Sequence, residues 1–218
     1  MVEVPSDTLA RQYRQPVFTI SDTRSFWDGE SAVICGILGI LGKPDFRLLE
    51  IGTYRGCSLV QFHAMFPAAR LESLNILPKQ ARDGEMEILP REHIGAYARS
   101  VDVQYIQHFG DSRSFDFSGL GKFDAVFIDG NHHEEFVLSD SMRTLGILQV
   151  GGVMIWHDCT DRYHLGRCVQ RAVRRLPFAA RIVKVQGTTL CYYIKPIGPM
   201  QARSRIRTVS RNLWQTEV

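Results

Sequence analysis

Asp129, His132, His133, His157 and Asp158 fall in one short stretch, Phe123–Asp158, FDAVFIDGNHHEEFVLSDSMRTLGILQVGGVMIWHD. Two carboxylates offer hard oxygen donors of the kind that hold Mg²⁺ with water and substrate. A neighbouring imidazole exchanges its proton near neutral pH and suits general-base work. The stretch reads as an apolar strand ending at Asp129, the histidine pair, a helix, a Gly151-Gly152 turn, and a second apolar strand ending at His157-Asp158. In an open parallel sheet the carboxyl ends of the strands line the ligand crevice. Each residue alone has a plainer account, since Asp129 can cap the Gly130-Asn131 turn, Asp158 can cap a loop, and a surface histidine is usually inert. Their joint placement at one rim is what points to a small-molecule site.

The elements that must position these groups follow from the apolar pattern. Seven runs read as strands: Phe46–Ile51, Arg70–Asn75, Val103–His108, Phe123–Ile128, Val153–His157, Arg181–Val185 and Leu190–Ile194. Several are apolar on both faces, as strands covered on both sides must be. Helices are expected over Phe26–Leu41, Ser58–Met65, Glu134–Leu148 and Gly166–Leu176, with another around Gly84–Ala98 interrupted at Pro90. This alternation predicts an α/β, doubly wound, mostly parallel seven-stranded sheet. Only Gln186-Gly187-Thr188-Thr189 joins the last two strands. A crossover helix cannot fit there, so they must form a C-terminal antiparallel hairpin.

Other rim positions carry candidates. The first strand runs into Glu50-Ile51-Gly52-Thr53-Tyr54-Arg55-Gly56-Cys57-Ser58. Glycines in such a turn let backbone approach a ligand in front of a helix N-terminus. A dinucleotide fingerprint would need glycine where Tyr54 and Cys57 stand, and no Gly-Lys-Ser/Thr follows for a phosphate loop. Glycines four apart suit a cofactor not held through a pyrophosphate. Taken alone, the motif is equally a plain strand-to-helix turn. Asn75 ends the second strand where nucleoside-binding sheets commonly carry an acid for the ribose. Asp111, in Gly110-Asp111-Ser112 after the third strand, could meet an adenine amino group or cap the next turn.

Bulk properties narrow the classes. The length of 218 residues suits one full core, and 44% hydrophobic with 22% charged residues is ordinary for a globular chain. No apolar stretch reaches the ~18 residues of a membrane span, and the charged MVEVPSDTLARQYRQPVF lacks a signal's apolar region. A cytoplasmic location and no membrane partner are expected. Cys35, Cys57, Cys159, Cys168 and Cys191 form no CxxC pair, which argues against a disulfide framework or structural zinc. Residues 198–218 form a basic tail in which Arg203, Arg205, Arg207 and Arg211 face only Glu217, and this accounts for the whole net charge of +3. A neutral body with such a tail does not look like a nucleic-acid surface; a solvated or subunit-contacting appendage fits it better, and a homo-oligomer stays open.

Together, Glu50-x-Gly52-x-x-x-Gly56, Gly110-Asp111-Ser112, the Gly151-Gly152 turn, Trp156-His157-Asp158, the closing hairpin and the late Gly-Thr-x-Leu-x-Tyr-Tyr resemble the class I S-adenosylmethionine-dependent methyltransferases. The branch is the small bacterial group labelled methyltransferase family 24, related in fold to catechol-type O-methyltransferases. The resemblance covers roughly residues 45–195 and implies the strand order 3-2-1-4-5-7-6. It implies S-adenosylmethionine held by Glu50, Gly52, Thr53, Tyr54, Gly56 and Ser58, with Glu50, Gly52 and Tyr54 at the methionine end. Asn75 would lie near the ribose, Asp111 and Ser112 at the adenine, and Asp129 between the cofactor amino group and the acceptor. In catechol-type enzymes the matching strand ends carry a metal, so Asp129 and Asp158 become ligands for Mg²⁺, with Cys159 where the usual third ligand, an Asn, would stand. His132, or His133, would take the proton of the acceptor. Residues 1–44 would form a helical lid or cap, with Phe18, Phe26 and Trp27 over the cofactor, and residues 45–197 the cofactor-binding domain. The expected activity is methyl transfer to a hydroxyl of a small molecule, a sugar or a natural-product intermediate. The open alternatives are a nitrogen acceptor, a macromolecular acceptor, and a non-catalytic nucleoside-binding protein.

Overall fold

A computed structural model of the protein describes residues 1–5, 30–80 and 88–197. The strands are β1 (Val2–Pro5), β2 (Arg47–Ile51), β3 (Arg70–Asn75), β4 (Ile106–Phe109), β5 (Phe123–Ile128), β6 (Leu148–Trp156), β7 (Val183–Gln186) and β8 (Cys191–Ile194). The α-helices are α1 (Glu30–Gly39), α2 (Cys57–Met65), α3 (Ala96–Ser100), α4 (Glu134–Leu145) and α5 (His164–Arg175). They build one sheet in the order β1-β7-β8-β6-β5-β2-β3-β4. All neighbours run parallel except β8, which is antiparallel to both β6 and β7. The expected order 3-2-1-4-5-7-6 is therefore present as β4-β3-β2-β5-β6-β8-β7.

The sheet has eight strands rather than seven. The chain's first residues form β1, in register with β7 from Val2 against Val183 to Pro5 against Gln186. The segment expected to be a helical cap thus begins as an edge strand. The predicted helix over Phe26–Leu41 is described from Glu30 and ends at Gly39; Phe18, Phe26 and Trp27 lie outside the described residues, as does the basic tail. Of the stretch around Gly84–Ala98, residues 81–87 are likewise outside. Past Pro90 it makes one 3₁₀ turn, Arg91–His93, and Gly95 at φ 68 separates that turn from α3. The helix predicted to reach Leu148 stops at Leu145, because Leu148 is already paired with Phe123 across the sheet.

Alternation along the central strands splits the core in two. Ala125 and Phe127 of β5 face one side, where Val33, Ile34, Ile37 and Leu38 of α1 and Leu59 and Phe62 of α2 cover them. Val126 and Ile128 face the other, against Val137 of α4 and Val169, Ala172 and Val173 of α5. Burial on both faces is what makes these strands read as continuous apolar runs. Trp156, fully enclosed, donates its indole N–H to Ser141 Oγ at 2.8 Å and ties β6 to α4. Among the described residues no helix is long and apolar enough to cross a membrane.

Candidate active site

The carboxyl ends of β2, β3, β5 and β6 converge because their last residues are locked in register. Gly52 N–H donates to Leu74 O at 2.9 Å, Asp129 N–H to Ile51 O at 2.9 Å, and His157 N–H to Ile128 O at 3.2 Å. Gly52 adopts φ 103, and a Cβ there would lie 2.7 Å from the Asp129 carbonyl carbon, inside contact distance. No other residue type fits this crossing of β2 and β5. Gly56, at φ 84, opens α2, and between the glycines Tyr54 holds a left-handed φ of 46.

Asn75 fixes that turn. Its Oδ1 accepts the N–H of Thr53 at 3.0 Å and of Tyr54 at 3.1 Å, while its Nδ2 donates to Ile76 O. Beneath the turn Glu50 is completely enclosed, its two oxygens accepting from Ser58 Oγ and from Ser73 Oγ, the latter at 2.6 Å. Burial pushes its pKa up to about 8 against the lowering effect of both hydroxyls. Glu50 and Ser58 therefore brace the turn from inside the sheet.

At the β4 end Asp111 accepts a fork from Arg113, with Nε to Oδ1 at 3.0 Å and Nη2 to Oδ2 at 2.7 Å. Arg113 in turn lies 4.0 Å over the Phe136 ring. Asp140 of α4 is enclosed, and burial pushes its pKa up to about 7 against the lowering influence of Ser112. Three strand spacings, about 14 Å, separate this end from Asp129, an elongated rim.

The opposite end is densely charged. His132 Nε2 lies 2.7 Å from Asp158 Oδ2 and 3.6 Å from Asp129 Oδ1. His157 Nδ1 lies 3.1 Å from Asp158 Oδ2 and 3.3 Å from Asp129 Oδ1, and its Nε2 is 3.0 Å from Glu30 Oε2. Tyr163 donates its hydroxyl to Asp158 Oδ1. Asp158 sits at a left-handed φ of 57. Burial lowers the His132 pKa, but the hydrogen bonds and charges of Asp129 and Asp158 outweigh it and set the ring at about 9. The same balance holds His157 well above its ordinary value. Burial acts to raise the two aspartates, and the flanking imidazoles overcome it and hold both below the ordinary carboxylate range.

Residues 49–159, just over half the chain, match a family described as a methyltransferase domain. The chain belongs to the class I S-adenosylmethionine-dependent methyltransferases. The methyltransferase fold is shared with the O-methyltransferase NovP at 14% identity and TM-score 0.55, over 75% of this chain and 81% of that one. It is shared also with the O-methyltransferase TomG of Streptomyces achromogenes, involved in tomaymycin synthesis, at 16% identity and TM-score 0.53, over 87% of each chain. CalS10, an amino pentose methyltransferase from Micromonospora echinaspora, is 23% identical at TM-score 0.44, over 66% of this chain and 58% of that longer one. No curated protein sequence matches the chain.

Within the methyltransferase the expected residues divide. Gly52, Thr53, Tyr54, Gly56 and Asn75 meet in one turn, and Asp129, His132 and Asp158 meet at the charged end of the rim. His133 is exposed and stands at the N-terminus of α4, its N–H donating to Asn131 Oδ1 at 2.9 Å. The chain pattern did not single out Glu30, Thr189 or Tyr163. Glu30 opens a helix far upstream with no local motif around it, and Thr189 lies in the hairpin turn. Only Tyr163, five residues past Asp158, stood near a recognised group.

The donor atoms of Asp129, His132 and Asp158 all lie within 4.8 Å of one another, so one divalent cation can reach all three. Two carboxylates with an imidazole suit a borderline cation such as Mn²⁺ or Zn²⁺ at least as well as Mg²⁺, which favours oxygen alone. Cys159 does not complete the set, since its buried Sγ lies 2.7 Å from Cys191 Sγ, between β6 and β8.

Proposed function

We propose that this methyltransferase moves the methyl group of S-adenosylmethionine to a hydroxyl of a small molecule, a sugar or a natural-product intermediate. The observation that carries this reading is His132 held between Asp129 and Asp158 on the same rim as the Gly52–Gly56 turn. Thr53 and Tyr54 would hold the methionine end of the cofactor along that rim, Asn75 its ribose, and Asp111 and Ser112 its adenine. Asp129 would stand between the cofactor amino group and the acceptor. The cofactor would supply an electrophilic methyl carbon for in-line attack by an oxygen lone pair of the acceptor, the carbon–sulfur pair leaving on sulfur as S-adenosylhomocysteine. Holding the two reactants in attack geometry supplies much of the rate, up to ~7–11 kcal/mol in favourable cases.

The acceptor's proton goes to His132 Nε2. That atom must be neutral to receive it, and the raised pKa means the ring is mostly protonated at pH 7. A divalent cation bound by Asp129, His132 and Asp158 would supply Lewis acidity to the acceptor oxygen. The two roles of His132 exclude each other, because a nitrogen bound to a cation cannot accept a proton. Chelator-treated protein separates them, since retained transfer assigns the base role.

Calorimetry with S-adenosylmethionine and S-adenosylhomocysteine tests the cofactor, and silence with both overturns the reading. Transfer of label from [methyl-³H]-S-adenosylmethionine to a panel of sugars, phenols, amines, RNA and protein tests the acceptor. Label in hydroxylated small molecules supports the proposal. Label only in amines or macromolecules, or binding without any transfer, replaces it.

A further inference from the structure

Three carboxylates converge on one enclosed imidazole behind the acceptor end. His157 is 5% exposed and Glu30 2% exposed, so neither has room to meet an acceptor. An imidazole has two N–H vectors, pointing away from each other across a rigid ring. Nε2 hydrogen-bonds Glu30 Oε2 at 3.0 Å, which leaves Nδ1 on the site side of the ring, 3.1 Å from Asp158 Oδ2 and 3.3 Å from Asp129 Oδ1.

Glu30 is itself held from the far side. Its Oε1 accepts the Thr189 N–H, and its Oε2 the Thr189 hydroxyl at 3.3 Å. Thr189 Oγ1 in turn accepts the Asp158 N–H at 3.2 Å. The contacts close a circuit, Glu30 to His157 to Asp158 to Thr189 and back to Glu30. It ties α1, the end of β6 and the β7–β8 turn into one frame. Asp158 keeps its left-handed backbone inside that frame, a conformation that L-residues seldom hold unless their neighbours impose it.

We propose that Glu30 and His157 are a positioning pair that sets the spacing and orientation of Asp129 and Asp158. The inference rests on the reading of those aspartates as the acceptor wall. The pair acts through them and touches neither cofactor nor acceptor. A misplacement of ~1 Å at a reacting centre can cost on the order of 100-fold in rate, so such a frame matters although it lies behind the site. It also makes the N-terminal part of the chain necessary for a working site, through the first residue of α1.

The test compares wild type, Glu30→Gln and Glu30→Ala. Crystals with S-adenosylhomocysteine report the aspartate positions, and ¹⁵N-histidine NMR reports the His157 Nε2–H. In Glu30→Ala we expect the exchange-protected Nε2–H signal to vanish and the Asp129 and Asp158 carboxylates to move apart by ~1 Å or more. Calorimetric affinity for S-adenosylhomocysteine should stay within roughly threefold, well under 1 kcal/mol. Glu30→Gln, which keeps the shape and an acceptor for Thr189, should restore the carboxylate positions. Carboxylates that stay in place in Glu30→Ala, or an unchanged Nε2–H signal, overturn the proposal. If Glu30→Ala does not fold, His157→Gln crystals give the same spacing measurement. Failure of wild type to bind either cofactor form would overturn the methyl-transfer reading alone, because the carboxylate positions are read without turnover.

Discussion

At the level of single residues, His132 and His133 are neighbours in sequence with different fates. The strand end at Asp129 delivers His132 to both aspartates, while the next residue turns outward to start α4. Replacing His132 by Ala should lower kcat by ~100- to 10,000-fold, the usual range for a lost general base, whereas His133→Ala should retain turnover within a few-fold, both measured by label transfer. Equal losses in the two variants would remove His132 from its role. The pH dependence has a definite sign. Asp129 and Asp158 raise the His132 pKa to about 9, so kcat/KM should climb from neutral pH and level off above about 9. A profile already flat at pH 7 would mean that His132 is not the group losing the proton. Asp129, His132 and Asp158 are legible in the sequence because strand ends in a parallel sheet must share a rim. Which of the two histidines joins them is not, since that depends on the rotation of the chain leaving β5. Nor is the inward direction of Glu50, because a strand buried on both faces gives no alternation to tell its two sides apart.

At the level of elements, strands and helices were legible wherever apolar periodicity and turn residues agreed. They were least legible where pairing partners decided the boundary, as at Leu148, or where a turn glycine broke a helix, as at Gly95. Two joints between elements carry measurable weight. Ser141 Oγ on α4 is the acceptor for the buried Trp156 N–H of β6, and Ser141→Ala leaves that donor enclosed without it. The expected loss is ~1–3 kcal/mol, read as a lower urea midpoint at unchanged slope; no shift would show that the indole N–H finds another acceptor. At the crossing of β2 and β5, Gly52→Ala sets a methyl against the Asp129 carbonyl at a φ that L-residues avoid. It should cost more than ~2 kcal/mol and also weaken S-adenosylhomocysteine binding, because the turn that carries Thr53 and Tyr54 must move. Wild-type affinity in a folded Gly52→Ala protein would separate this turn from the cofactor.

For the whole molecule, His132 and Glu50 act in the same direction on stability, as do the other raised groups at the site, His157 and Asp140. His132 is raised toward about 9, so its contribution is complete below its ordinary value of 6.5 and is lost as pH passes through about 9. Glu50, raised to about 8, favours the folded state while protonated and opposes it as pH climbs past its ordinary value of 4.5. Urea midpoints should therefore fall between pH 6 and pH 9 by the equivalent of on the order of 1–3 kcal/mol, with His132→Gln and Glu50→Gln each flattening part of the slope. A rising midpoint over that range would contradict the arrangement of charges described. The global topology was legible except for β1, whose four residues carry too little pattern to be read as a strand without their partner. That partner has a temporal consequence. A nascent chain emerges from its N-terminus, so Val2–Pro5 must wait for Val183–Gln186 before the edge of the sheet can close. Glu30 waits likewise for His157 and Thr189. A ribosome halted before the final hairpin would hold a chain with its β2–β5 centre available to fold, its Gly52–Gly56 turn ready to form, and its charged wall still unframed.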